Sequence, residues 1–258
     1  MDVNELARID HNKTFCRHPW ETARIDVALA ILKKHLAFPV QSIIDIGSGD
    51  GYVIQQMFLK NLSNHYTAVD IGYDDTFIRN EVSHALHPQI TITSSLPEAQ
   101  TIISDKGSTL YLLMDVLEHL ENESVLLRQL QRNRSENASY LLITVPANQY
   151  LYSSHDTLLG HYRRYNRKSV IALCQQYQLQ PIESGYFFLS LWCIRILQLG
   201  FEKIMKSSKK TSVENWQHGK WISAIVRKTL ILDYQVSRIF KSLGINLPGL
   251  SVYCLCKI

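Results

Sequence analysis

The sequence predicts an α/β fold built on a mostly parallel sheet with helices on both faces. Three observations predict it. Short apolar runs alternate with helical stretches from residue 42 to residue 177. Those runs are continuously apolar, as in LYLLM at 110–114 and LLITV at 141–145, which is how strands buried on both faces read. A glycine-rich turn, GSGDG at 47–51, ends the first run and opens a helical stretch, the kind of join at which such sheets bind ligands.

Each element has its own signal. WETARIDVALAILKKHL at 20–36 spaces Ile25, Leu29, Ile31, Leu32 and Leu36 at helical intervals, and Phe38-Pro39 stops that helix. Ser42–Ile46 reads as a strand, Tyr52–Lys60 as a helix, and Tyr66–Asp70 and Ile90–Thr93 as strands. Leu110–Met114 is a strand leading to the helix Ser124–Gln131, and Tyr140–Val145 a strand leading to Lys168–Tyr177. Beyond residue 180 the rhythm changes. Ile182–Phe188 and Leu250–Lys257 are two more strands, separated by about sixty residues that read as two helices joined by KSSKKTSVENWQHGK. The expected organisation is one domain over 1–258: a helical cap at 1–38, a ligand-binding core at 40–187, a helical insertion at 188–248 and a closing strand at 250–257.

Composition narrows the function. With 46% hydrophobic and 19% charged residues, a chain of 258 buries a full core. A net charge of +4 with no long basic stripe leaves no nucleic-acid partner expected. Cys16, Cys174, Cys193, Cys254 and Cys256 are odd in number and lack metal-ligand spacing, so reduced thiols and a cytoplasmic location are expected. Cys254 and Cys256 alternate along a strand and read as core. MDVNELARIDHNK lacks the apolar run of a signal peptide. GYFFLSLWCIRILQLGFEKIM at 185–205 nears bilayer length, but Arg195, Gln198, Glu202 and Lys203 interrupt it. It reads instead as an interfacial or channel-lining helix. Residues 188–210 are then a candidate peripheral contact with the inner membrane; the alternative is a cap helix with a charged outer turn.

The glycines at 47, 49 and 51 give D-x-G-x-G-x-G, beginning at Asp45. A dinucleotide site wants glycine where Tyr52 stands, and a P-loop wants a lysine that is missing. The loop suits a nucleoside that approaches the backbone closely, because glycine removes the obstructing Cβ. Asp70 ends YTAVD at the tip of the next strand, where a carboxylate can accept both ribose hydroxyls. A strand-end aspartate that caps a helix is the alternative.

With these residues the chain resembles the class I S-adenosylmethionine-dependent methyltransferases, over roughly residues 40 to 187. DIGSGDG at 45–51 resembles the family's first motif, Asp70 its ribose-binding acid, SSLPE at 94–98 the segment beside the adenine, MDVLEHL at 114–120 the motif after the fourth strand, and LLITVP at 141–146 the fifth strand. Serine at 94 and 95 departs from an aspartate common there. MDVLEH, with HPWETAR at 18–24 and HDTLLGHYRRY at 155–165, is similar to a bacterial small-molecule subgroup and, more distantly, to the ubiquinone-pathway O-methyltransferases. The resemblance implies a Rossmann-like seven-stranded sheet whose last strand is antiparallel, preceded by a helical insertion. It implies S-adenosyl-L-methionine as cofactor, bound by Asp45, Gly47, Ser48, Gly49, Gly51, Asp70, Ile71, Ser95, Leu96, Asp115 and Val116. The implied acceptor is the hydroxyl or amine of a small-molecule or lipid-linked compound. A non-catalytic S-adenosylmethionine-binding protein and an RNA or protein methyltransferase are the alternatives.

The acceptor needs positioning and, if it is a hydroxyl, a base. His119, His155 and His161 are the candidate bases, because imidazole titrates near neutral pH. Trp20, Arg24, Tyr162, Arg163 and Arg164 are the candidate acceptor contacts. SSHDTLLGHYRRYNR at 153–167 follows the fifth strand and is expected to close over the pocket mouth. A loop pinned by Asp156 and an arginine, with a satisfied histidine, is the other reading. No metal is expected. The resemblance leaves Asp115, Glu118 and His119 as a candidate metal set beside two others: residues that shape the cofactor pocket, and acids that favour a helix start.

Overall fold

A computed structural model describes residues 17–101, 107–132, 138–205 and 219–258. Cys16, the opening polar segment and residues 206–218 of the expected linker lie outside them.

The chain enters through α1 (Pro19–His35), with proline at the first helical position and the His18 ring accepting the Trp20 N–H. Lys33, Lys34 and His35 crowd its last turn, where cations favour the helix dipole. Strands and helices then alternate: β1 (Val40–Ile46), α2 (Tyr52–Leu59), β2 (Ser63–Val69), α3 (Thr76–Ala85), β3 (Ile90–Thr93), α4 (Leu96–Thr101), β4 (Thr109–Met114), α5 (Ser124–Arg132) and β5 (Ser139–Pro146). A short α6 (Ser154–Leu158) and α7 (Arg167–Gln176) lead to β6 (Gln180–Phe187). Two long helices, α8 (Leu189–Met205) and α9 (Lys220–Ser242), precede β7 (Ser251–Lys257).

The seven strands form one sheet in the order β3-β2-β1-β4-β5-β7-β6. β1 to β5 pair in parallel, and β7 runs antiparallel to both β5 and β6. This is the expected Rossmann-like sheet. Its order reverses between β1 and β4, so the loops after these strands flank a crevice at their carboxyl ends.

Alternate strand residues fill two cores. Ile43, Leu110, Leu112, Leu142 and Leu255 meet α1, α2 and α9 on one face. Ile44, Tyr111, Leu113, Leu141 and Ile143 meet α5 and α7 on the other. Cys254 and Cys256 do share a face, and both are buried with Cys174 of α7, the Cys254 and Cys256 sulfurs 3.6 Å apart.

Three short helices escaped the sequence reading for physical reasons, α4 because its six residues are too few to show a period. α3 buries only Val82, with Ile78 half-buried one turn before it and Phe77 exposed, a stripe too short to read; an aspartate cap at Asp75 marks its start. α6 spans five residues and is defined by a capping box between Ser153 and Asp156. β2 also begins three residues early, because Ser63 and His65 pair with Val40 and Ser42 although they are polar.

A buried carboxylate ties the late elements together. Glu183 on β6 accepts from Lys34 and His35 of α1, Lys241 of α9 and Tyr253 of β7 at 2.5–2.9 Å. Burial alone would raise its pKa, but these bonds outweigh it and hold the carboxyl well below the usual range. The insertion leaves and rejoins the sheet at one point, where the Leu250 N–H donates to the Phe188 carbonyl at 3.2 Å.

Candidate functional site

The β1–α2 turn is held by its own backbone. Gly47, Gly49 and Gly51 all have positive φ, +71°, +55° and +74°, a region glycine enters without penalty. A Cβ on Gly47 would lie 2.6 Å from the Val116 side chain, so this glycine lets the β1 and β4 loops meet. The Gly47 and Ser48 N–H groups donate to the Val69 carbonyl at 2.7 and 3.0 Å. Asp70 is buried, and its two carboxylate oxygens accept from the Gly49 N–H at 3.0 Å and the Gly72 N–H at 2.8 Å. Each oxygen keeps a second lone pair for a ligand hydroxyl. The Tyr73 hydroxyl donates to the Gly49 carbonyl at 2.7 Å. Asp45 is buried and accepts from the Ser48 hydroxyl at 2.9 Å; burial, tempered by that bond, pushes its pKa up to about 7.

The start of α1 closes against this turn. Arg17 reaches Asp50 at 2.5 Å and lies over the Tyr52 ring at 3.5 Å. Arg24 pairs with Asp115 and lies beside the Trp20 ring. Asp115 itself has φ +60°, a conformation that costs a non-glycine residue about 1–3 kcal/mol and collects at functional sites. Its N–H donates to the Thr144 carbonyl, and its carboxylate accepts from the Thr144 hydroxyl at 3.2 Å. Three residues on, Glu118 is fully buried, and neither carboxylate oxygen has a hydrogen-bond partner among the described residues. Burial pushes its pKa up to about 8.

The segment after β5 folds over this floor. The Tyr162 N–H donates to the Glu118 carbonyl at 2.8 Å, and the Tyr165 hydroxyl to the Leu117 carbonyl at 3.2 Å. At its centre is Asp156, fully buried on α6. It accepts from Arg164 at 2.7 and 3.1 Å and from the Ser153 N–H at 2.9 Å, and lies 3.1 Å from His161 Nδ1. Burial would raise the Asp156 pKa, but the His161 and Arg164 bonds outweigh it and hold the carboxyl below its usual range. An ionised carboxylate only accepts. Nδ1 of His161 therefore carries a proton, and in the neutral imidazole Nε2 presents its lone pair. The His161 ring meets His119 edge to face at 4.6 Å.

The sequence-predicted residues thus divide. Asp45, Gly47, Ser48, Gly49, Gly51 and Asp70 sit together in the β1 and β2 loops, and Asp115 and Val116 across from them after β4. Ile71 is 83% exposed at the β2 tip, while Leu96 is buried and Ser95 half-buried in the next loop. His119 and His161 come together. His155 lies on α6, half-buried, with burial lowering its pKa. Tyr162 is exposed. Arg163 is committed to Glu123 at 2.5 Å and to the Glu121 carbonyl, and Arg164 to Asp156. The Asp156–Arg164 pair of the alternative loop reading is therefore present, and an acceptor anion would have to displace an existing partner from any of Arg24, Arg163 or Arg164. Asp115 turns to Arg24 and does not join Glu118 and His119. Instead Glu118, His119 and His161 each offer a ligand atom within 4.8 Å of the others, as do Cys174, Cys254 and Cys256 in the core. Either trio has the donor chemistry of a cation site. Arg17 and Tyr73 were missed as site residues, with no signal to mark them. Asp156 reads in the sequence only as a pin of the loop beside a satisfied histidine, not as the partner that orients a base.

The model of a methyltransferase-domain family matches residues 20–184, a span that takes in α1. No curated protein matches the chain. Among solved structures, the plantazolicin methyltransferase BamL, in complex with a triazolic desmethylPZN analogue and SAH, is 14% identical. That match covers 98% of this chain and 89% of BamL, with a TM-score of 0.56. Phosphoethanolamine N-methyltransferase 2 of Haemonchus contortus, with S-adenosyl-L-methionine, is 14% identical over 99% of this chain and 57% of its own, with a TM-score of 0.52. A SAM-dependent methyltransferase of Archaeoglobus fulgidus is 14% identical over 92% of this chain and 97% of its own, with a TM-score of 0.50. At these identities the likeness to the solved structures is one of fold.

Proposed function

The chain belongs to the S-adenosylmethionine-dependent methyltransferases, and on that premise we propose that it methylates a hydroxyl or amine of a small-molecule or lipid-linked acceptor, with His161 as the base. S-adenosyl-L-methionine is the cofactor. In this reading the glycine turn admits the nucleoside to the backbone and Asp70 takes the ribose hydroxyls on its spare lone pairs. Ile71, as exposed as it is, offers an apolar surface for the adenine to cover, with Ser95 and Leu96 on the other side. Asp45, Ser48, Asp115 and Val116 line the rest. Bound there, S-adenosyl-L-methionine would supply an electrophilic methyl group to the acceptor and leave as the thioether, and His161 Nε2 would take the acceptor's proton.

One observation carries the assignment of the base. Asp156 is buried, ionised and on Nδ1 of His161, so it fixes the accepting tautomer and stabilises the imidazolium that forms. The test is S-adenosylhomocysteine formation against metabolite and lipid extracts, with mass identification of the product. His161→Ala should keep cofactor affinity by titration calorimetry and lose about a hundredfold or more in turnover, the usual size of a general-base contribution. Wild-type turnover in a folded His161→Ala with full cofactor affinity would remove His161 from the chemistry.

A second reading is favoured by the partnerless carboxylate of Glu118. Glu118, His119 and His161 would hold a divalent cation, with Asp156 orienting His161 from behind. Such an ion supplies Lewis acidity to an acceptor oxygen. Turnover abolished by a chelator and restored by a divalent metal would select this reading; turnover indifferent to chelation would discard it.

A further inference from the structure

The inner face of α9 is fixed. Val226, Leu230, Tyr234 and Ser237 turn toward the protein, Arg227 pairs with Asp26 of α1 at 2.7 and 3.0 Å, and Lys241 joins the Glu183 cluster. The opposite face should then be polar. It is not. Trp221, Ile225, Leu232, Val236, Ile239 and Leu243 recur at three-, four- and seven-residue intervals on the far side of the helix. They are 85%, 63%, 60%, 36%, 60% and 70% exposed. At 1.5 Å per residue the stripe runs for roughly 33 Å. α8 adds Ile194, Leu197 and Phe201 at helical spacing, 50–65% exposed.

Charge says what such a stripe meets. The residues of α8 and α9 include seven of the chain's 27 Lys and Arg and two of its 23 Asp and Glu, a net +5. The chain as a whole carries +4, so everything outside the two helices sums to −1. Lys220, Lys228 and Arg238 lie beside the stripe, and the only acid on α9 is Asp233, already engaged by Ser190. A second copy presenting the same face would set Lys220, Lys228 and Arg238 against their own counterparts, and Asp233 is the only acid that α9 could offer them. No described helix is long and apolar enough to cross a membrane.

We propose that the outer face of α9, extended by α8, is a docking surface for an anionic lipid bilayer: the apolar stripe enters the headgroup–acyl boundary and the flanking cations meet the headgroups. The surface lies on the helix beyond the 188–210 segment that the sequence singles out. It places the enzyme at the membrane whatever the acceptor is, and so stands apart from the choice of acceptor.

The test is co-sedimentation of the full chain with phosphatidylglycerol/phosphatidylcholine vesicles and with phosphatidylcholine alone. Wild type should pellet with the anionic vesicles and at least about tenfold less with the neutral ones. The combined variant Ile225→Glu, Leu232→Glu, Ile239→Glu should bind anionic vesicles at least about tenfold more weakly while keeping its S-adenosylmethionine affinity. That affinity, measured in the same samples, separates failure of docking from failure of the methyltransferase site. Because α9 packs on α1, the single variant Trp221→Glu at the helix start guards against a misfolded triple variant and should also weaken binding. Wild type that ignores anionic vesicles, variants that bind as wild type does, or a wild-type dimer that the variants convert to monomer would each overturn the proposal.

Discussion

Glu118→Gln should remove a pH dependence of stability that the wild-type protein carries. The Glu118 carboxyl titrates at about 8 in the folded protein, raised by burial from an ordinary 4.5. Between those values the folded chain holds a proton that the unfolded chain has released, so stability falls as pH rises. The contribution is complete below about 4.5 and gone above about 8. At roughly 1.4 kcal/mol per pH unit the whole window amounts to about 5 kcal/mol as an upper bound. Arg24 and Arg164 favour the ionised form and Asp156 opposes it; all three are already weighed in the value of about 8. Asp45, pushed up to about 7, adds a slope of the same sign in both proteins and cancels from their difference. The assay is urea unfolding of the cofactor-free protein in chelator at pH 5.5 and 7.5. Wild type should lose about 2–3 kcal/mol more than Glu118→Gln over that interval. The buried amide of the variant has its own cost, but that cost is the same at both pH values. Parallel losses in the two proteins would show that Glu118 is ionised or solvated in the folded state, and the argument from burial would fail.

Asp70→Ala should weaken S-adenosylmethionine binding by about ten- to a hundredfold, the loss of roughly 1.5–3 kcal/mol in charge-assisted hydrogen bonds. Because Asp70 also accepts the Gly49 and Gly72 N–H groups, the turn itself should loosen, and Asp70→Asn should retain part of both effects. Unchanged affinity by calorimetry in a folded Asp70→Ala would end the ribose assignment. Gly51→Ala should destabilise the protein by about 1–3 kcal/mol, since the residue has φ +74° and a Cβ there would lie 2.6 Å from Leu86; an unchanged denaturation midpoint would contradict that geometry.

The sheet was legible because its strands announce themselves. LYLLM is apolar at every position and LLITV at all but Thr144, and a short strand covered on both sides reads this way. The glycine turn and Asp70 were legible for a related reason: backbone geometry leaves few substitutes for glycine at positive φ. α3 and α6 were not, because caps rather than apolar periodicity define them. The arginines misled in another way. Arg24 and Arg163 read as acceptor contacts, whereas their carboxylate partners lie 91 and 40 residues away, beyond the reach of pattern. The partner of Arg164 lies only 8 residues away, and an Asp156–arginine pair is the other reading of that loop. The tautomer of His161 was hidden likewise, since it depends on the burial and ionisation of Asp156. The outer stripe of α9 was readable at helical spacing, but the same spacing serves a helix buried on both sides, and only the fold decides between them.

β7 follows the other six strands in the chain yet lies between β5 and β6 in the sheet. During synthesis β6 is complete at residue 187, and the strand that joins it to β5 begins only at residue 251. At 5–20 residues per second that interval lasts about 3–13 s. Throughout it β5 keeps a bare edge, β6 has no strand neighbour among the described strands, and α8 and α9 emerge with their apolar outer faces exposed before the sheet is complete. Unpaired edges and exposed apolar helices are the ingredients of aggregation. The burden on the cell's chaperones therefore concentrates in those seconds, and the chain becomes safe to release only when its seventh strand slides into the gap.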